Sequence, residues 1–464
     1  MIDEILSVVA KKIEPNEEEK LRIQDTANKI VSILKELCKK QGFDIKVEIG
    51  GSIGKGTWLS GEADIDIFML FPLSIELDRM ISLGLNIARK TTEIVGGVPV
   101  EKYAQHPYIE TYINGVTIDI VPAYQIEHPS QIKTAADRSS LHLRYVNSKL
   151  NDRMRKEIRI LKRFLKGINV YGSEIKTQGF SGYLCELLII YYGSFINLLR
   201  NAIKWIPWRT YIDIENFYGG DMQKIFKKFN SPIVVIDPVD KNRNAAAAVS
   251  MKKLLEFKTA SKFFLNKPSF KFFFPEATKP ITLNEFQQII YSRKTYVVCL
   301  LLPIKIMSPD IIWGIGFKVS RKLRNILEKY DYRVLDIGVW TDEREILAIL
   351  FEVENISLPY VKKHLGPPVG SVNEMDFIKK YFHKGEMVAG PFIEGGRWVV
   401  YKPRRYVSIR DLLLEYVFQI SNVRKFLSKD KIYFLLNEEI LKTVKDKSFL
   451  IYLKEWLVKK YKWI

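Results

Sequence analysis

Residues 50–68 read GGSIGKGTWLSGEADIDIF. The stretch runs from a glycine-rich turn carrying Ser52 and Lys55 into an apolar strand, ADIDIFMLFP (63–72), that Pro72 closes. Side chains alternate along a strand, so Asp64 and Asp66 project to one side while Ile65 and Ile67 project to the other. Two carboxylates that close repel each other and persist where a cation neutralises them. Mg²⁺ takes hard oxygen ligands of this kind, with substrate phosphate oxygens completing its shell. Asp119, in VTIDIVP (116–122), has the same setting. If its strand lies beside the first, three carboxylates converge, enough for a site of two Mg²⁺ ions. The competing reading is a solvated acidic edge strand. Gly50, Gly51, Gly54 and Gly56 let the turn bend and present N–H groups, and Ser52 adds a hydroxyl. A helix beginning near Ile53 would turn its positive end toward a phosphate. A Walker A loop is excluded, because Gly56 follows Lys55 where Ser or Thr is required and the loop is one residue short.

The chain has 464 residues, 47% of them hydrophobic, which is too long for one core. No apolar run reaches the length of a membrane span, and the first twenty residues are acidic and amphipathic, unlike a signal peptide. Cys38, Cys185 and Cys299 lie far apart in apolar settings and read as free thiols of a cytoplasmic protein. Lys plus Arg number 72 against 53 Asp plus Glu, a net charge of +19 that favours a polyanionic partner. The aromatic and basic run KFFLNKPSFKFFFPEATKP (262–280) reads either as core or as a stacking surface for nucleic acid.

Hydrophobic periodicity predicts a helix over 17–41, a strand ending at Gly50, and a helix over 76–94. YIETYINGVTIDIVPAY (108–124) predicts a hairpin about Asn114-Gly115. The first part is thus α+β with a small antiparallel or mixed sheet. Residues 150–205 read as helical. VVIDPVDKNRN (234–244) reads as a short strand and a proline turn before a helix. Strands return from 295, with a helix through 318–330 and a hairpin over 333–354. KHLGPPVG (363–370) and GPFIEGG (390–396) read as loops, and 408–464 as helical. The predicted domains are 1–135 (catalytic), 136–258 (helical), 259–290 with 390–464 (C-terminal body) and 291–389 (α/β tail).

The opening stretch resembles the G-S-x-x-x-G-T-x-L-x-x-x-x-D-[IL]-D motif of the nucleotidyltransferase superfamily that includes polymerase β. More narrowly, the chain resembles the archaeal-type (class I) CCA-adding enzymes. AQHPYIETYINGVTIDIVPAY (104–124), DRSSLHLRYV (137–146), ILKRFLKGINVYGSE (160–174), TQGFSGYLCELLIIYYGSF (177–195) and VVIDPVDKNRNAAAAVS (234–250) follow in the family's order. The resemblance implies a polymerase β-like palm, a helical neck and an RNA-binding C-terminal half. It implies addition of C, C and A to the tRNA 3′ end from CTP and ATP, without a nucleic-acid template, through two Mg²⁺ ions. By position, Asp64, Asp66 and Asp119 would be the catalytic metal ligands. Ser52, Lys55, His142, Lys162 and Tyr171 would contact the nucleotide, Arg243 would read the base and the tRNA, and His106 would lie near the site. The implied partner is tRNA, through its acceptor stem and TΨC arm; no membrane is implied, and a homodimer is a family expectation. Asp64 stands where the family often has Glu, and Gln105 where it often has an acid. The alternatives are a poly(A) or uridylyl transferase or an oligoadenylate synthase-like enzyme, which share the motif, and a non-catalytic RNA-binding protein. The arginine-rich nucleotide-reading motif of the bacterial-type family is not evident.

Overall fold

A computed structural model describes residues 2–103, 106–383, 387–420, 423–428 and 431–464. The chain forms two compact units, residues 1–277 with 461–464, and residues 278–460.

The first unit opens with α1 (Ile2–Ile13) and α2 (Glu17–Lys40), the latter capped by the Asn16 side chain on Glu19 N. A five-stranded sheet follows: β1 (Lys46–Ile49), β2 (Asp64–Phe71), β3 (Val100–Tyr103), β4 (Pro107–Ile113) and β5 (Val116–Tyr124), in the order β1-β2-β5-β4-β3. The one-turn α3 (Gly51–Gly54) joins β1 to β2, and α4 (Leu77–Ile94) follows β2. The sheet is mixed: β2 and β5 run parallel and every other pairing is antiparallel. One face is core. Ile65, Ile67, Ile118 and Ile120 lie at most 1% exposed, in a cluster with Ala27, Ile30 and Leu34 of α2 and Met80 and Ala88 of α4. The alternation that buries these isoleucines presents the aspartates between them on the other face.

The β4–β5 hairpin turns on Asn114 (φ 53°) and Gly115 (φ 79°), the doubly left-handed geometry that matches strand twist. A two-residue turn fixes register, and Glu110 falls opposite Asp119.

The rest of the unit is mainly helical: α5 (Arg138–Lys149), α6 (Asp152–Gly167), α7 (Gly182–Tyr192), α8 (Phe195–Ala202), α9 (Met222–Lys228) and α10 (Met251–Asn266). Asn151, Ser181, Ser194 and Ser250 cap α6, α7, α8 and α10 through their side chains. Phe164, Phe180, Phe195, Phe257, Phe264, Phe272 and Phe273 fill their shared core. The core reading of the aromatic run 262–280 therefore holds for these rings. Three short strands, β6 (Tyr211–Asp213), β7 (Val234–Asp237) and β8 (Asp240–Asn244), form a separate sheet. The proline turn expected after residue 237 thus opens a further strand instead of leading directly to a helix.

The second unit begins with α11 (Leu283–Arg293) and centres on an antiparallel sheet, order β10-β11-β9-β15, of β9 (Tyr296–Pro303), β10 (Val334–Thr341), β11 (Ile346–Val353) and β15 (Tyr433–Leu436). α12 (Pro309–Lys329) and α14 (Ile409–Gln419) share a core with one face; α11, α16 (Glu438–Thr443) and α17 (Lys447–Val458) share one with the other. α15 (Val423–Phe426) follows α14. A three-stranded sheet of β12 (Val361–Pro368), β13 (Ala389–Glu394) and β14 (Arg397–Pro403) packs on α13 (Glu374–His383). Two expectations are corrected here. The segments 363–370 and 390–396 are largely strand, because their prolines sit on the outer strands β12 and β13, where a missing N–H is tolerated. The helical C-terminus contains β15, which gains its partners by adding to the edge strand β9.

Candidate active site

Parallel pairing of β2 and β5 sets Asp66 directly beside Asp119 and Asp64 beside Thr117. Since Asp64 and Asp66 share a face, the three aspartates form one group, and Glu110 extends the row across β4. Their titration reports the crowding. Burial, then the charge of Asp64, pushes Asp66 up to about 6. Burial, then Asp66, Glu110 and Asp64, pushes Asp119 up to about 7. Asp64 is also raised by burial, with Lys166 and a Thr117 hydrogen bond opposing. Asp119 Oδ1 is buried and has no hydrogen-bond partner among the described residues. A buried, unpaired carboxylate oxygen between like charges is a strong acceptor for a cation.

The glycine turn lies against this row. Gly50 N donates to Asp66 O at 2.8 Å. Gly51 has φ 58°, and a Cβ built there would stand 1.7 Å from Asp66 Oδ2. Only glycine lets the backbone approach a carboxylate so closely. Ser52 is half-buried in the same turn, and its hydroxyl makes no hydrogen bond among the described residues. The expected helix here is a single turn of four residues. That is too short for an appreciable macrodipole, so the turn offers individual N–H and O–H groups instead.

Behind the turn is a buried charge cluster. Lys55 Nζ donates to Glu186 Oε2 at 2.8 Å and Thr57 Oγ1 to Glu186 Oε1 at 2.8 Å. Lys162 Nζ donates to Thr57 O and Thr57 Oγ1, both at 3.0 Å, and lies 3.7 Å from Glu186 Oε1. Burial alone would raise Glu186, but the two lysines outweigh it and hold the carboxyl low. Burial lowers Lys162, with the charge of Glu186 opposing. Lys55 is thus bonded internally, while its charge still lowers Asp66. Tyr171 and Lys162 converge on the capped first turn of α7: a Cβ at Gly182 would lie 3.1 Å from Tyr171 Oη and 3.6 Å from Lys162 Nζ. Lys166 pairs with Glu62 and lies 5.0 Å above the Tyr171 ring.

A cleft of about 830 Å³ is lined by His142, Ser181, Tyr183, Lys228, Arg243 and Asn244, among others. His142 Nε2 and Arg243 Nη1 both donate to Asp237 Oδ2, at 2.9 and 2.7 Å. Tyr183 Oη donates to Asp237 Oδ1 at 3.0 Å, and the His142 ring stacks on Tyr183 at 3.9 Å. His106 Nε2 donates at 2.9 Å to the carbonyl of Pro122, on the strand that carries Asp119. Its neighbour Gln105 lies outside the described residues.

The structure thus brings Asp64, Asp66 and Asp119 together under the turn that carries Ser52. It groups Lys55, Lys162 and Tyr171 beside α7, and His142 with Arg243 in the cleft. Sequence reasoning missed Glu110, Tyr183, Glu186 and Asp237. Glu110 was readable from the hairpin register. Asp237, an acid between apolar residues in VVIDPVD, carried the same signal as Asp119.

Residues 30–142 match the family model of the nucleotidyltransferase domain, 156–274 that of the second domain of tRNA nucleotidyltransferase, and 293–433 that of the C-terminal domain of the CCA-adding enzyme. The chain is 38% identical over 419 residues to a CCA-adding enzyme of Pyrobaculum islandicum, covering 90% of this chain and 94% of the relative. It is 40% identical over 404 residues to that of Sulfurisphaera tokodaii, covering 86% and 88%. It is 33% identical over 457 residues to that of Methanosarcina mazei, covering 98% of each.

Proposed function

The chain belongs to the CCA-adding enzymes, and from that membership we propose a division of labour among its residues. The enzyme completes the tRNA 3′ end with C, C and A, using CTP and ATP and releasing pyrophosphate, without a nucleic-acid template. The observation that carries the assignment of the centre is the register pairing Asp66 with Asp119 beneath the glycine turn.

Asp64, Asp66 and Asp119 would hold Mg²⁺, two ions in our reading. The orphaned Asp119 Oδ1 and the crowding of three acids fit a hard dication. When bound, such ions supply charge that acidifies the attacking hydroxyl and stabilises the departing pyrophosphate. The chain's own residues then position the reactants. The N–H groups and Ser52 hydroxyl of the turn take the triphosphate, with Lys55 and Lys162 supporting the turn from behind and Tyr171 beside them at α7. The tRNA 3′-hydroxyl attacks the α-phosphorus as its bond to the bridging oxygen of pyrophosphate breaks. Holding these atoms in line lowers the barrier chiefly through orientation and electrostatics. Arg243 offers a fork of donors to the base and to RNA phosphate.

The acceptor stem and TΨC arm of tRNA are the proposed target of the C-terminal half, read by backbone and shape. We place the enzyme in the cytoplasm, as three buried free cysteines support, and expect a homodimer, which sedimentation would test. Feeding tRNA that lacks its CCA end with one nucleotide at a time tests the activity. Addition should stop after three residues; unlimited homopolymer growth would identify a poly(A) or uridylyl transferase instead.

A further inference from the structure

Asp237 lies behind the cleft wall, fully buried, and is not itself among the residues that line it. It receives donors from three separate elements: His142 of α5, Tyr183 of α7 and Arg243 of β8. A fourth comes from Val239 N at 3.1 Å, in the turn that follows it. An ionised carboxylate is an acceptor with about four lone-pair sites, so its capacity is filled. The consequence falls on its partners. Arg243 makes no other hydrogen bond among the described residues, and its side chain is 37% exposed. One Nη is anchored and the remaining donors of the planar fork stay available in the cleft. His142 is locked twice, by its bond to Asp237 and by its stack on Tyr183.

We propose that Asp237 is a positioning residue for nucleotide choice: it fixes the guanidinium of Arg243 and the imidazole of His142 so that the cleft offers one donor pattern to the incoming base. The inference rests on the reading that this cleft takes the base. CTP and UTP share a triphosphate and a ribose, and so do ATP and GTP. Selection within each pair therefore depends on hydrogen-bonding groups held rigidly enough to leave the wrong base unpaired. An arginine free to rotate would adapt to carbonyl and amino edges alike.

The test measures kcat and KM for CTP, UTP, ATP and GTP on tRNA lacking its whole CCA end and on tRNA lacking only the terminal A. Asp237→Asn keeps the size of the side chain but sets an amide NH₂ against a donor and removes the charge. The preference for CTP over UTP should fall on the order of tenfold, with KM for the correct nucleotide rising more than kcat falls. Asp237→Glu restores the charge one methylene further out and should recover part of the preference; it also carries the test should the Asn variant not fold. In Asp237→Asn/Arg243→Lys the loss should be smaller than the product of the two single losses, because the aspartate acts in part through the arginine. Unchanged preference in a folded Asp237 variant, or losses that multiply in the double variant, overturns the inference. Unchanged preference in Arg243→Lys itself overturns the reading of the cleft instead.

Discussion

At the scale of single residues, the centre is an arrangement of charges that oppose one another until something neutralises them. Asp119 is the sharpest case, half-buried, flanked by Asp66 and Glu110, with one oxygen unpaired. Asp119→Asn should lower nucleotide addition on the order of 10³-fold or more and should leave the unfolding temperature unchanged or higher, since it relieves like-charge repulsion. Near-normal turnover in this variant would remove Asp119 from the catalytic group. Asp237 behaves in the opposite sense. Burial alone would raise its carboxyl, but the hydrogen bond and charge of His142, then Arg243, outweigh that and hold it at about 2 against an ordinary 3.8. A depressed carboxyl contributes stability that is fully present above the unfolded value and disappears as pH falls through the folded one. Between pH 4 and 2 the protein should therefore lose on the order of 2 kcal/mol from this group alone. Urea titrations across that window should show a shallower slope for Asp237→Asn; equal slopes would contradict the assignment.

At the scale of elements, the turn and the two parallel strands are what make the row of acids useful. Gly51→Ala would combine a left-handed backbone with a methyl overlapping Asp66 Oδ2. We expect about 1–3 kcal/mol of destabilisation and a loss of activity of at least about a hundredfold, through displacement of Asp66; full activity would show that the turn need not touch the carboxylate. These elements were legible before the fold was known, and for local reasons. The D-I-D alternation fixes a face, the Asn-Gly turn fixes a register, and both act over a few residues. What escaped was long-range. Nothing near Glu186, in an apolar helix, announces that Lys55 lies against it across 131 positions. The proline- and glycine-bearing strands β12 and β13 read as loops because their strand character comes from pairing with β14, which composition does not reveal. The parallel pairing of β2 with β5 joins segments distant in sequence, and no local pattern sets the register of Asp66 to Asp119.

At the scale of the whole molecule, the net charge of +19 bears on the RNA. Phosphate contacts release counterions, so affinity for tRNA should fall steeply with salt. With six or more such contacts, Kd should rise on the order of 10³-fold or more between 50 and 200 mM salt. A filter-binding series measures this, and a flat response would argue against an electrostatic interface. The first unit also depends on the far end of the chain. Trp463 is buried in its core, its ring centre 5.4 Å from that of Phe272, and Tyr461 Oη donates to Glu256. Trp463→Ala should cost about 3–5 kcal/mol, read from the urea midpoint; a wild-type midpoint would show that this ring is dispensable.

Residues 461–464 leave the ribosome after the entire stretch 278–460. The first unit consequently waits, one tryptophan short of its full core, while the stretch 278–460 is being made.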